Sequence, residues 1–392
     1  GGTALNWTLS GAELQLITAT GLTIGDANNG NMTVNGITAA NLANITGTTI
    51  LNATAATRTI TFDTAASAFG ALTVNADDGV TVNQNLTTTG TTTIDTDVDN
   101  DGVGNFTIAT ATALNTGGTA LTITANDIAI NGTGTLNSGA AATMPRVSDA
   151  GTIDLGTGGA GGLNLTDTEL DLVTAGSLTI GDGTAGAITV RSDLTPANIT
   201  FLHLRSGSTI TGTAGGIVET NLALTAGGSI NFTDPTTDVD NLAVSAAGQT
   251  VSFRDIDDLD IDTVNGIVGV TATTLNLTTG GALTDTQRTI VTNLSVSGSA
   301  AVTLDAAAND AGTVAINTTA GNIIYTDANA FTVGTVGAVV GIDTNAGTVA
   351  LTATTGNLTV SNTAAANDVE ASGDITLTAA ADEALIDIQA TA

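Results

Sequence analysis

A stretch of this chain occurs twice. Glu13–Val34 returns as Glu169–Val190, with Leu14/Leu170, Thr18/Thr174, Ala19/Ala175, Gly30/Gly186 and Thr33/Thr189 in register, and the block Leu22–Asp26 repeated letter for letter as Leu178–Asp182. Each unit of a repeat array buries its apolar edge only by stacking on its neighbours, so internal repetition favours an elongated stack over a globule. The unit itself is a short strand and a turn. Apolar pairs flanking one small or hydroxyl residue recur along the chain, among them Leu22/Ile24, Leu121/Ile123, Ile188/Val190, Leu242/Val244, Val302/Leu304 and Leu358/Val360. That is the period of strands with one dry face and one wet face. Gly, Asn and Asp clusters such as Thr116–Gly118, Ala226–Gly228 and Asn309-Asp310 lie between them and supply turn chemistry.

Spacing then selects an architecture. Corresponding strands recur about every 20 residues, as from Leu222 to Leu242, Leu275 to Leu294 and Leu294 to Val314, with intermediate strands between. A second echo sets Phe253–Asp255 and Leu259–Val264 against Tyr325–Asp327 and Phe331–Val336. The pattern predicts an all-β chain, a parallel β-solenoid with about 20 residues per coil and about 20 coils. Strands this short and this frequent also describe antiparallel sandwiches, but sandwich cores need bulky hubs. This chain is 2% aromatic, with Trp7 its one tryptophan and Tyr325 its one tyrosine, and its 42% apolar content is mostly Ala, Val, Ile and Leu, which suits a thin core. The expectation is one continuous solenoid over residues 1–392, part of a longer chain, with a loop insertion at residues 95–105. Strand character persists at residues 385–388 with no polar cap, so the stack is expected to continue, in the same polypeptide or by head-to-tail assembly.

Charge narrows the partners. The net charge is −31, from 37 acidic residues against six arginines and no lysine, so phosphate backbones are repelled and nucleic acid is excluded. Such a surface favours solubility and divalent cations. Cysteine is absent, which leaves the redox compartment open and is compatible with an extracellular protein held by backbone ladders. No apolar run is long enough for a spanning helix, and the chain opens at Gly1 without a charged n-region, which reads as a mature or excised piece.

The segments Leu163–Leu170, Gly176–Asp182 and Leu121–Ile128 resemble the repeats of filamentous-haemagglutinin-type and autotransporter-like bacterial surface proteins. That resemblance implies a right-handed β-helix, secretion to the bacterial cell surface, and service as a fibre or adhesin stalk that meets a host surface, a neighbouring cell or a glycan. No enzymatic activity is expected. The alternatives are a surface-layer-type lattice protein stabilised by calcium and a β-helical polysaccharide-active enzyme.

Few segments offer chemistry. Asp95, Asp97, Asp99 and Asp101 alternate ahead of Gly102, so that a turning backbone can aim several carboxylates at one hard cation. Calcium is therefore the one cofactor to consider, and none is required. The position where an EF-hand carries its bidentate glutamate is Ile108, so the loop is not an EF-hand. In the run Asp255–Asp262 the expectation is acids outward, with Ile256, Leu259 and Ile261 inward. His203, the one histidine, is expected on the surface between inward Leu202 and Leu204. The threonines of Thr87–Thr89 and Thr91–Thr93 are expected outward, where β-branched hydroxyl residues suit exposed strands.

Overall fold

The computed structural model describes residues 7–157, 159, 162–361, 368–381, 383–384 and 388–390, the last two stretches by backbone alone. The chain is 53% strand and 3% helix, wound as a parallel β-solenoid of about 15 turns spaced about 22 residues apart. There are thus fewer and longer coils than the sequence spacing suggested, because corners and excursions lengthen each turn. Of the strand expected at residues 385–388, positions 385–387 lie outside the described residues, while Ile388–Ala390 is a strand.

Two compact units are distinguished, one comprising Gly1–Asp154, Gly158–Gly181 and Pro196–Thr200, the other Leu155–Thr157, Asp182–Thr195 and Phe201–Ala392. In the first, strands stack in parallel files. One file runs through Leu22–Ile24, Thr49–Ala53, Leu72–Ala76, Thr92–Asp95, Leu121–Ala125 and Ala142–Val147. Another runs through Met32–Val34, Ile60–Phe62, Val80–Val82, Phe106–Ile108 and Ile128–Ile130. Because side chains alternate along a strand, registered stacking lines up inward residues from coil to coil. Leu51, Val74, Ile94 and Ile123 form one such inward line, each at most 2% exposed. Each such side chain contributes about 1.5–3 kcal/mol relative to exposure.

The repeated segment owes its repetition to a corner. Ser10 caps the turn Gly11–Leu14 by accepting from the Glu13 N–H at 3.3 Å, while the Glu13 carboxylate accepts the Ser10 N–H at 2.8 Å. Thr166 and Glu169 reproduce this box around Asp167–Leu170, with Thr166 N–H to Glu169 Oε2 at 2.9 Å. The next coil locks each corner in the same way: Asn44 donates to the Gln15 carbonyl and Asn198 to the Asp171 carbonyl, both at 2.9 Å.

In the second unit long strands bend around corners, the longest being Asp238–Asp255. Its interior holds a stacked Phe232–Phe253 pair, centroids 6.1 Å apart, and an edge-on Tyr325–Phe331 pair at 5.1 Å. Among its described residues two antiparallel hairpins interrupt the ladders, Thr263–Val264 with Ile267–Val268, and Thr335–Val336 with Val339–Val340. The necks are alike. Gly269 N–H donates to the Asp262 carbonyl at 3.0 Å and Gly341 N–H to the Gly334 carbonyl at 2.8 Å, after which the parallel ladder resumes at Val270 and Ile342. Both neck glycines sit at positive φ, 62° and 67°, and a Cβ would lie 2.0 Å from the Arg288 carbonyl or 2.4 Å from that of Asp368. Only glycine fits there.

Candidate functional site

After the strand Thr92–Asp95 the chain enters a loop that curls around one side chain. Asp97 is fully buried and accepts the N–H groups of Asp101 and Gly102, both at 3.1 Å, and the Ser148 hydroxyl at 2.5 Å. Left-handed residues close the curl, Asn100 at φ 56° and Gly102 at φ 80°. One carboxylate oxygen each from Asp97, Asp99 and Asp101 then falls within 4.8 Å of the others, with Asp97 buried and the other two exposed. Asp95 is not among them. It stays on its strand, between Asn75 and Thr124 in the stacked register, and accepts the Asp97 N–H at 3.2 Å.

Burial pushes the Asp97 carboxyl above the ordinary range against the pull of its donors, and burial also raises Asp95. Three converging carboxylates with no basic group in the cluster suit a hard, oxygen-seeking cation. Ile108 is buried in the strand Phe106–Ile108, so the loop has no twelfth-position ligand. Across from Gly102 stands Asp149, whose Oδ2 would lie 3.1 Å from a Cβ at that glycine. Asp149 and Ala150 both adopt positive φ, 56° and 58°. Reading along the chain missed Asp149 because it comes from a different coil; its only local signal is the Ser148–Gly151 turn.

Other candidates land elsewhere than expected. In the second acidic run Leu259 and Ile261 face inward, but Asp255 is 1% exposed and Ile256 is 50% exposed, the reverse of the expected alternation. The cause is a corner: the Asp255 carboxylate turns in to accept the Val239 N–H at 2.8 Å and the Asp257 N–H at 3.1 Å, which rotates Ile256 outward. Asp327 does the same in the echoed segment, accepting from Ala311 N–H at 2.8 Å, Asn329 N–H at 2.8 Å and the Tyr325 hydroxyl at 2.6 Å. Asp260 and Asp262 remain outside, paired with the hydroxyls of Thr284 and Thr286 on the next coil.

His203 is likewise not surface decoration. It is 7% exposed, with Nε2 against the Thr225 hydroxyl at 2.9 Å and Nδ1 against the Asn265 amide nitrogen at 3.2 Å. The amide donates to Nδ1, which assigns the proton to Nε2. Burial, then the nearby Arg205, lowers its pKa to about 4. It does point outward from Leu202 and Leu204, as expected, but the first hairpin covers it. Thr88 and Thr92 also depart from expectation, facing inward and hydrogen-bonded to each other at 2.6 Å.

Further acids turned inward escaped the sequence reading, Glu219 and Asp285 among them. Glu219 stacks beside buried Val239 with its Oε1 unpartnered, and burial pushes it up to about 7. Asp285 stacks on Ile261 and holds the turn after Leu304 through the N–H groups of Asp305 and Ala306 and the Asn309 amide at 2.6 Å. Burial raises it to about 6. No helix among the described residues is long and apolar enough to cross a membrane. Comparison with protein families, curated proteins and solved structures finds no match to this chain.

Proposed function

We propose that this chain is a non-catalytic structural element: a section of an extracellular fibre or adhesin stalk of a bacterial cell surface, associating head to tail. The observation that carries this reading is how the coils are used. Many of their inward positions are filled line after line with Val, Ile and Leu, and many of their polar side chains bond one coil to the next, as in Asn75 to Asn52 at 2.8 Å and Asn241 to Asn221 at 3.0 Å. A body built this way resists stretching and solvent entry, and its acidic coat keeps neighbouring copies apart. The resemblance of its repeats to filamentous-haemagglutinin-type and autotransporter-like surface proteins agrees with it. Electron microscopy of the purified chain at rising concentration tests the reading. Thin rods lengthening into fibres support it; compact particles of constant size refute it.

The second reading, a calcium-stabilised surface lattice, draws on the convergence of Asp97, Asp99 and Asp101. Its test is the same microscopy with calcium and then with a chelator. Two-dimensional sheets that dissolve on chelation favour the lattice, and axial fibres indifferent to chelation favour the stalk.

A further inference from the structure

A coil in a bare solenoid touches only the coils above and below it, so its stability is a sum over neighbours and it opens from whichever contact is weakest. The two hairpins of the second unit depart from that rule. We infer that they are straps joining coils that do not touch one another, so that the coils beneath each hairpin open together instead of singly.

Three observations support this. First, each hairpin is an excursion from a ladder that closes beneath it. The neck bonds of Gly269 and Gly341 complete the register, and Val244 N–H bonds to the Gly269 carbonyl and Ile316 N–H to that of Gly341, each at 2.9 Å. The hairpins are therefore additions to the coils and not parts of them.

Second, each hairpin lies on outward positions made small to receive it. His203, Ala223 and Ala243 are in register on successive coils and point away from the lumen, yet both alanines are 0% exposed. Val264 packs with these two alanines, and Phe201 and Ile267 join the contact. Under the second hairpin, Ala315 packs with Val336 and Val339, and the registered Ser295 is 4% exposed.

Third, the tips reach past the adjacent coil. The Asn265 amide bonds to His203, which lies beyond both Ala243 and Ala223 in the same line. On the second hairpin, Gly337 stands over Asn276, whose Oδ1 would be 3.9 Å from a Cβ there, beyond Ala315 and Ser295. Asn276 in turn bonds Ser252 at 3.2 Å and receives the Ser295 hydroxyl at 2.8 Å. Each strap thus links the coil it springs from to coils with which that coil shares no ladder.

Hydrogen exchange of the whole chain, read by mass spectrometry, tests the inference. In the unaltered protein, peptides covering residues 201–206, 222–226 and 242–246 are expected to exchange at one shared slow rate. Asn265→Gly keeps the left-handed turn, and with it the hairpin, but removes its reach, and should speed exchange at 201–206 about threefold while leaving 242–246 unchanged. Replacing residues 263–268 by a Gly-Gly turn should speed 201–206 about tenfold and separate the three rates. Unchanged rates after the replacement overturn the inference. So does an Asn265→Gly chain in which 242–246 accelerates as much as 201–206, because the ladder alone would then be coupling the coils. Should the Gly-Gly chain fail to fold, Asn265→Gly and Val264→Ala decide by the same readout.

Discussion

The outward line Thr73, Thr93, Thr122 in the first unit and the outward line His203, Ala223, Ala243 in the second occupy the same kind of position, on registered parallel strands pointing away from the lumen. The threonines are half-exposed, whereas the two alanines are fully buried and the histidine is 7% exposed. The ladders beneath do not differ; the covering does. A bare line needs residues that suit a wet strand, so threonine serves. A strapped line needs room for a second layer, so it carries alanine, and it acquires an outer core a few side chains wide. Stacking fixes which residues share a line, and the size of the outward residue fixes whether anything can lie on it.

The most severe way to break this contrast is at the hairpin neck. Gly269→Val sets a branched side chain at φ 62° with its Cβ 2.0 Å from the Arg288 carbonyl. Left-handed strain of about 1–3 kcal/mol adds to the collision, so a loss of roughly 3 kcal/mol or more is expected from urea midpoints. Gly30→Ala is the control, since nothing lies within 4 Å of a Cβ there. Equal losses at both sites would mean that the neck is no tighter than an ordinary turn.

Next comes the pair Ala243→Leu and Thr93→Leu. Beneath the strap the larger side chain has no space, and overpacking should cost about 1–3 kcal/mol. On the bare line the same residue projects into water, and the change should stay within about 0.5 kcal/mol. Similar costs at the two positions would erase the distinction between covered and bare faces.

These residues also show what was legible in the sequence. The strand-and-turn repeat and the parallel stacking could be read, because period-two alternation and registered spacing are local facts. Alternation alone does not reveal the hairpins: at the first, Thr263 and Asn265 take the places in phase with Leu259 and Ile261, and Val264 falls between them, which reads as the end of a strand and not as a hairpin. The sequence does carry their signal: Asn265-Gly266, both at positive φ (48° and 81°), is the dipeptide a tight hairpin turn prefers. Asp255 and Ile256 were misassigned because a corner resets the alternation, and only the Val239 N–H, brought in by the stacked coil, shows why the acid turns inward. In the acidic loop, the alternating Asp97, Asp99 and Asp101 were visible as a motif, whereas Ser148 and Asp149 come from another coil and leave no trace in its spacing.

A smaller effect separates lumen from strap by pH. Burial raises Asp255 and Glu219 to about 7 and Asp285 to about 6, above their unfolded values of 3.8, 4.5 and 3.8. The folded state therefore holds more protons than the unfolded chain between those limits, and the stability these groups add is fully present below about pH 4 and lost as pH rises through 6 to 7. His203 has the opposite sign. Its folded value of about 4 lies below the unfolded 6.5, so its contribution is present above pH 6.5 and fades as pH falls through about 4. Between pH 7 and pH 5 the lumen should tighten while the strap loosens. Urea midpoints of the second unit should be higher at pH 5 than at pH 8, with Glu219→Gln flattening the slope, and a slope unchanged by that variant would discharge Glu219 from the role.

The smallest expected change is at the acidic loop of the first unit, where no hairpin lies over the line Thr73, Thr93, Thr122 and a bound cation would be the nearest equivalent of a strap. Binding to the folded state alone stabilises by RT ln(1 + [L]/Kd), which amounts to about 2.7 kcal/mol at a hundredfold excess over Kd and far less at a weak site. Calcium should therefore raise the melting temperature of the unaltered chain by a few degrees and leave Asp101→Asn unmoved. Because burial raises the Asp97 carboxyl above its ordinary value, calcium must compete with a proton there as the pH falls, and the increment should shrink towards acid pH. A calcium effect of the same size in Asp101→Asn would place the cation on the diffuse acidic coat, leaving the loop as a hydrogen-bonded corner folded around Asp97.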